Sequence, residues 1–330
     1  MNKKVHIEWE MPVFASHHYS IASEIALSTY PSAKIQMLNK CVSIGCSTDF
    51  LDGYTGLDMN FYNAQPENFD NIETHKVDLR YAFKMCSKAI HKMLEDGLYI
   101  FFSGIDDYYI PGKSWYKTKH RLHDGIICGY DDRAGTYDMI AYNIDWRLCE
   151  FKVRQKDFLK SVSEGIKRYP DTYILGIKAA EKKVEFNVLD AINQMYYFLH
   201  LKPQYTPEYR GFIWGRATYN YFVMYMDKIL DGSIPYEKMD WRPMRIVWEF
   251  RVRNLERIIA IEKAMNYDHS VSERYKTVVE ESNRLRFLYA FYHKKRNDNL
   301  LRSVRNGVDE LQFVERELYL ELIDRYNEKK

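Results

Sequence analysis

Apolar positions recur at two different periods along the chain, and the change of period divides it. Ile21, Ile25 and Leu27 sit among small residues in 19–29 (YSIASEIALST) and run into Pro31, which predicts a short buried helix. Leu79, Phe83, Ile90 and Leu94 recur at steps of three, four and seven before Gly97, predicting a second helix over 77–96. The texture then changes. LYIFFSG (98–104), HDGIICGYD (123–131), TYDMIAYN (136–143) and EFKVR (150–154) are short, rich in Ile, Tyr and Phe, and bounded by turn formers, which is a strand pattern. Asp132-Arg133-Ala134-Gly135 reads as a hairpin turn. From about 185 onward the helical period returns in 186–201, 217–231, 236–265, 271–294 and 304–327.

The pattern therefore predicts two domains: an α+β domain with an antiparallel sheet over 1–170, and an all-helical domain over 171–330. The boundary is placed in 164–184, where a proline, two glycines and a lysine pair interrupt both periods. A length of 330 residues suits two cores of ordinary size. With 15 glycines and 9 prolines the chain is too poor in turn formers for a disordered or collagen-like protein, and the shortage belongs with long helices. The 28 tyrosines suit half-wet clefts and interfaces, or reflect an AT-rich genome.

Charge narrows the partners. Lys and Arg number 48 against 46 Asp and Glu, so no global field draws in nucleic acid or an anionic membrane. Five cysteines without a CxxC spacing indicate neither a disulfide framework nor a zinc knuckle, and reduced cytoplasmic thiols are expected. No apolar run reaches signal-peptide or membrane-spanning length.

Chemically useful side chains are densest in 106–146. Pairing across the 132–135 turn sets His123 opposite Ile144, and a one-residue slip brings Asn143 or Asp145 across instead. An imidazole beside an amide or carboxylate on the next strand is the histidine half of a thiol-protease triad, in which the partner fixes the ring tautomer. His120 and His123, with Asp106 or Asp107, lack a third ligand at a recognisable spacing, so no metal is assigned.

Asp107-Tyr108-Tyr109-Ile110-Pro111, Tyr116, His120, and His123 leading into Gly129-Tyr130-Asp131 resemble the N-terminal domain of the butirosin biosynthesis protein H (BtrH-like) family, papain-like acyltransferases related to bacteriocin-processing peptidases. Pro12-Val13-Phe14 before the first helix, and Asp240-Trp241-Arg242 with Arg257 and Ile258, extend the likeness to about half the chain. The resemblance implies a papain-like domain that moves an acyl group from a carrier-protein thioester to an amine in antibiotic and other natural product biosynthesis. No cofactor would be bound; phosphopantetheine would arrive on the partner acyl carrier protein. Tyr108, Tyr109, Trp115, Tyr116 and His120 would line the acceptor pocket, or pack on the sheet.

The chain departs from this pattern at the nucleophile. Family members carry Cys at the start of the first helix, where His17-His18-Tyr19-Ser20 stands here. Three accounts are open. Ser20 is the nucleophile, with His123 as base and Asn143 or Asp145 as orienter; or His18 occupies the position, with catalysis lost or reduced to orienting an amine; or Cys41 or Cys46 supplies a thiol. Ser20 as a simple helix cap is the bland alternative. The resulting functions are an amide-forming acyltransferase, an inactive papain-like binding protein for a carrier-bound chain or partner subunit, and a leader-peptide cysteine peptidase. The side chain facing His123 discriminates them: a hydroxyl points to serine, a sulfur to the thiol mechanism, a second imidazole to binding. In the second half, Arg242, Arg245, Arg251, Arg253 and Arg257 read either as a dock for an acidic carrier or its phosphate, or as a solvated helix face. Trp248, Phe250 and the FLYAFYH run at 287–293 read as helix packing or a homodimer contact through the C-terminal helices.

Overall fold

In the computed structural model, which describes residues 3–40, 43–52, 55–61, 63–200 and 211–329, the elements run β1 (Lys4–His6), α1 (His18–Ser28), α2 (Pro31–Lys40), β2 (Ile44–Ser47), β3 (Met59–Phe61), β4 (Ile72–Asp78), α3 (Leu79–Ala82), α4 (Cys86–Glu95), β5 (Tyr99–Asp106), β6 (Leu122–Asp131), β7 (Thr136–Tyr142), β8 (Leu148–Arg154), α5 (Gln155–Arg168), β9 (Tyr173–Ala179), α6 (Val188–His200), β10 (Phe212–Trp214), α7 (Ala217–Leu230), α8 (Pro243–Met265), α9 (Ser270–Lys295) and α10 (Asp298–Glu328). They form two compact units, Met1–Lys34 with Gln65–Val184, and Ile35–Ala64 with Glu185–Lys330. The expected cut at 170 therefore moves. Strand β9 pairs with both β4 and β5, which holds 173–179 in the first unit, and β2 pairs with β10, which carries 35–64 into the second.

The first unit is α+β, as expected. Its sheet runs β4-β9-β5-β6-β7-β8, and all its pairings are antiparallel. Strand β6 is long enough to take β5 and then β1 along one edge, with β7 on the other. Alternation sorts the side chains: Ile127, Met139 and Phe102 join Ile90, Leu94, Phe158 and Val162 of α4 and α5 on one face. Ile126, Cys128 and Ile140 meet Ile21, Ala22 and Ile25 of α1 on the other. The predicted helix over 77–96 begins later than expected, because Val77 and Asp78 close β4 and the Asp78 carboxylate caps α3. Helix α5 approaches β5 so closely that a methyl group at Gly165 would overlap the Gly104 carbonyl oxygen and lie 3.1 Å from the Ile105 Cα. Backbone cannot yield as a side chain does, so Gly165→Ala is expected to cost about 1–3 kcal/mol in chemical denaturation. A loss under a few tenths of a kcal/mol would contradict that close approach.

The second unit is helical apart from a small sheet, β10-β2-β3. Neither reading of the α8 arginines holds throughout: Arg251, Arg253 and Arg257 are buried. Arg257 donates from Nε to the Leu38 carbonyl (2.7 Å) and from Nη2 to the Met37 carbonyl (3.2 Å), satisfying the C-terminal turn of α2. Arg242 forms a fork with Asp240. The Asp240-Trp241-Arg242 segment is fixed from both sides, since Tyr225 Oη accepts from the Asp240 amide and Tyr289 donates to its carbonyl. Within FLYAFYH, Tyr289 and Tyr292 are core, whereas Phe287 and Phe291 are exposed.

Candidate functional site

Helix α1 and strand β6 bring two imidazoles together. His18, the first residue of α1, stacks edge-on against His123 of β6 with ring centroids 4.9 Å apart, and lies 6.0 Å from the Tyr142 ring. Tyr142 ties the segment entering α1 to β7 by donating its hydroxyl to the Ala15 carbonyl. The group facing His123 is thus a second imidazole.

Beneath His123 lies a buried ion cluster that sequence reasoning missed. The loop after β5 turns at Ile110-Pro111-Gly112, and Gly112, at φ +91°, lies against the Phe151 ring where a side chain would be strained. The turn sends Lys113 inward, only 2% exposed. Its Nζ lies 3.2 Å from His123 Nδ1 and 3.8 Å from Asp107 Oδ1, and Asp107 Oδ2 is 3.7 Å from His123 Nδ1. Burial pushes the Asp107 carboxyl up to about 6, against the opposing pull of Lys113 and Arg121. The same burial draws the Lys113 ammonium down, against Asp107 and Asp124. Asp124, which accepts from the Gly104 amide (3.2 Å), is also raised by burial. A buried lysine and carboxylate beside a partly exposed imidazole, the first two shifted by desolvation, mark this cluster as a candidate functional site.

The other expected site residues are placed differently. Ser20 is fully buried, and its hydroxyl donates to the His17 carbonyl (2.8 Å) within the first turn of α1; the N-cap is His17, not Ser20. The Asn143 Oδ1 accepts from the amides of Asp145 (2.9 Å) and Arg147 (3.0 Å), which commits that side chain to the β7–β8 turn, and Asp145 is exposed in the same turn. Neither has the orienting position beside His123 Nδ1, which Lys113 and Asp107 occupy. The cause is where β7 stops. Past the bulge around Cys128 the pairing moves by one, to Ile127↔Met139 and Ile126↔Ile140, the slip that aims Asn143 at His123, but β7 ends at Tyr142 and Asn143 turns into the β7–β8 loop.

The candidate pocket aromatics make contacts among themselves and with cations. Tyr108 stacks on His120 (4.2 Å), Tyr109 packs edge-on against Tyr108, and His120 Nδ1 lies 2.7 Å from Asp106 Oδ2, which also pairs with Arg168 (3.0 Å). Lys117 approaches the Tyr108, Tyr109 and Tyr116 rings, and Lys119 and Arg121 approach Trp115. His120 is therefore bound to Asp106, apart from the ion cluster on Asp107.

Cys46 and Cys86 are buried, with thiols pushed up to about 12, and burial also raises Cys128 and Cys149. Activated cysteines show the opposite shift. Cys41 lies outside the described residues. No helix among the described residues is long and apolar enough to cross a membrane. No family model and no curated protein matches the chain.

Proposed function

We propose that the first unit is a papain-like binding domain for a carrier-bound acyl chain, in which the nucleophile position is taken by His18 and no acyl-enzyme forms. The observation that carries this reading is the environment of His123: an imidazole faces the ring, and the Lys113 ammonium stands 3.2 Å from its Nδ1. In a thiol-protease triad an acceptor takes the Nδ1 proton, which leaves Nε2 as the base. An ammonium only donates. With Lys113 charged, Nδ1 must accept, the neutral ring carries its proton on Nε2, and His123 becomes a hydrogen-bond donor. Such a donor can hold a thioester carbonyl without removing a proton from an attacking group. The acyl chain would come on the phosphopantetheine of an acyl carrier protein.

A second reading, direct transfer of the acyl group to an amine with His123 as base, is favoured by Asp107 Oδ2 at 3.7 Å from Nδ1. It needs Lys113 neutral and the proton on Nδ1. The peptidase reading finds no activated thiol among the described cysteines.

Long-range 15N–1H spectra of the full chain at neutral pH separate these readings. The binding reading expects the His123 Nε2–H tautomer, and intact-mass spectra after mixing with acyl carrier protein should show no acyl adduct on this chain. An Nδ1–H tautomer supports direct transfer and overturns the binding reading, as does an acyl adduct lost in His18→Ala.

A further inference from the structure

Three metal-ligating side chains converge on the α1-covered face of the first sheet, outside the His18–His123 cluster. They are His6 of β1, Cys128 of β6 and Glu150 of β8, and one donor atom from each lies within 4.8 Å of the others. The pairing brings them together: His6 stands opposite Gly129, next to Cys128, and Glu150 stands opposite Ile140 of the intervening strand. Cys128 sits at the bulge where the β6–β7 register shifts, a device that re-aims a side chain.

We propose that His6, Cys128 and Glu150 form a site for a divalent transition metal of the zinc class. Around tetrahedral zinc, nitrogen and oxygen ligands at about 2.0–2.1 Å and sulfur at about 2.3 Å lie roughly 3.3–3.6 Å from one another. His6 Nε2 is 3.1 Å from both Glu150 oxygens, and Cys128 Sγ is 3.5 Å from Glu150 Oε2. The His6 and Cys128 donors, within 4.8 Å of each other, would draw closer around the ion. The donor set of one imidazole, one thiolate and one carboxylate is of the kind zinc takes, and it leaves a fourth position for solvent.

The surroundings fit ligands as well. Glu8 Oε1 lies 3.4 Å from His6 Nδ1, a carboxylate placed to hold the proton there and turn Nε2 toward the metal. Trp9 Nε1 donates to Glu150 Oε2 (2.9 Å) and fixes that carboxylate. Without a metal, burial and Glu150 hold the Cys128 thiol well above its ordinary value. Binding must therefore displace the thiol proton to solvent as the metal–sulfur bond forms, so affinity rises with pH. The bound ion would join the three-residue strand β1 to β6 and β8.

Cobalt titration of the full chain, first stripped with a chelator, tests this. One equivalent should bind and give a thiolate-to-cobalt charge-transfer band in the near ultraviolet, reversed by zinc. His6→Ala and Glu150→Gln, at partly exposed positions, should each weaken binding at least tenfold while circular dichroism stays unchanged. Cys128→Ser should abolish the band, and Cys149→Ser should keep it. Absence of the band overturns the proposal, as does a band with undiminished affinity in His6→Ala and Glu150→Gln. These two variants decide the matter even where Cys128→Ser fails to fold.

Discussion

Replacing Arg251 by methionine is expected to destabilise the second unit by about 3–5 kcal/mol, the usual cost of breaking a buried ion pair on one side. Arg251 and Glu315 are both essentially inaccessible to solvent, with Nη2 3.6 Å from the carboxylate. Nη1 donates to Ser282 Oγ (3.4 Å), and the guanidinium stands 5.0 Å over the Tyr219 ring. Glu315 collects hydroxyl donors from three helices: Tyr219 of α7 (2.6 Å), Tyr275 of α9, and Tyr319 of α10 (3.3 Å). Burial holds all three phenols well above their ordinary value, so they remain donors and never compete for the negative charge. Removal of Arg251 leaves a carboxylate with hydrogen bonds and no countercharge. Adding Glu315→Gln should recover a large part of the loss, because an amide oxygen still accepts from the tyrosines without a charge to compensate. Amide hydrogen exchange in α8, α9 and α10 reads the effect within this unit. A loss below about 1 kcal/mol, or a double variant weaker than Arg251→Met alone, would count against the network.

This network also accounts for some of the tyrosine excess. Tyr219, Tyr275 and Tyr319 are wholly buried, and their rings fill the core while their hydroxyls serve one carboxylate. The amino-acid sequence by itself points to clefts and interfaces instead, because a tyrosine on a helical stripe shows its volume and not its hydrogen-bond partner. The arginines of α8 mislead for the same reason. Their helical spacing is visible, but burial of Arg251 depends on Glu315 some sixty positions later.

Strands β5 to β8 are legible because each is an Ile, Tyr or Phe run closed by turn formers. Strand β9 is not, since its Gly176 reads as a break. The glycine is there because Met93 Sδ and a Leu98 methyl fill the space of a side chain, at 2.9 and 3.0 Å from where its Cβ would stand. Strands β2, β3 and β10, three or four residues each, carry no period and exist through non-local pairing. His123 can be found from the hairpin, but its neighbours cannot. The bulge at Cys128 supplies the one-residue slip toward Asn143, but β7 ends at Tyr142 before the pairing reaches it, and Lys113 is a lysine in a loop whose burial follows only from the Ile110-Pro111-Gly112 turn. Asp107 enters the sequence reading beside His123 only as a metal-ligand candidate, and nothing in the spacing places it under that ring.

The buried Asp107 makes the stability of the first unit depend on pH in a direction opposite to most carboxylates. Its pKa rises from an ordinary 3.8 to about 6, first through burial, then through Asp106 and Asp124, against Lys113 and Arg121. Between about pH 4 and pH 6 the native state holds a proton that the unfolded chain has lost. Stability therefore falls as pH rises through that window, and this contribution is fully recovered below the unfolded value. At about 1.4 kcal/mol for each tenfold change in proton affinity, the swing is on the order of 3 kcal/mol. Asp107→Asn has no such proton. Wild type should gain about 3 kcal/mol relative to this variant as pH is lowered from about 6.5 to about 3.5, measured as the difference between the two proteins by hydrogen exchange in β5 and β6. Taking the difference cancels the acid loss from carboxylates held low by partners, such as Glu164 between Lys160 and Lys167, which both proteins share. A flat difference, or one that grows in favour of the variant toward acid, would mean that Lys113 holds Asp107 ionised throughout. Lys113 contacts both Asp107 and His123 Nδ1, so the tautomer and the stability profile are two readings of one buried charge arrangement.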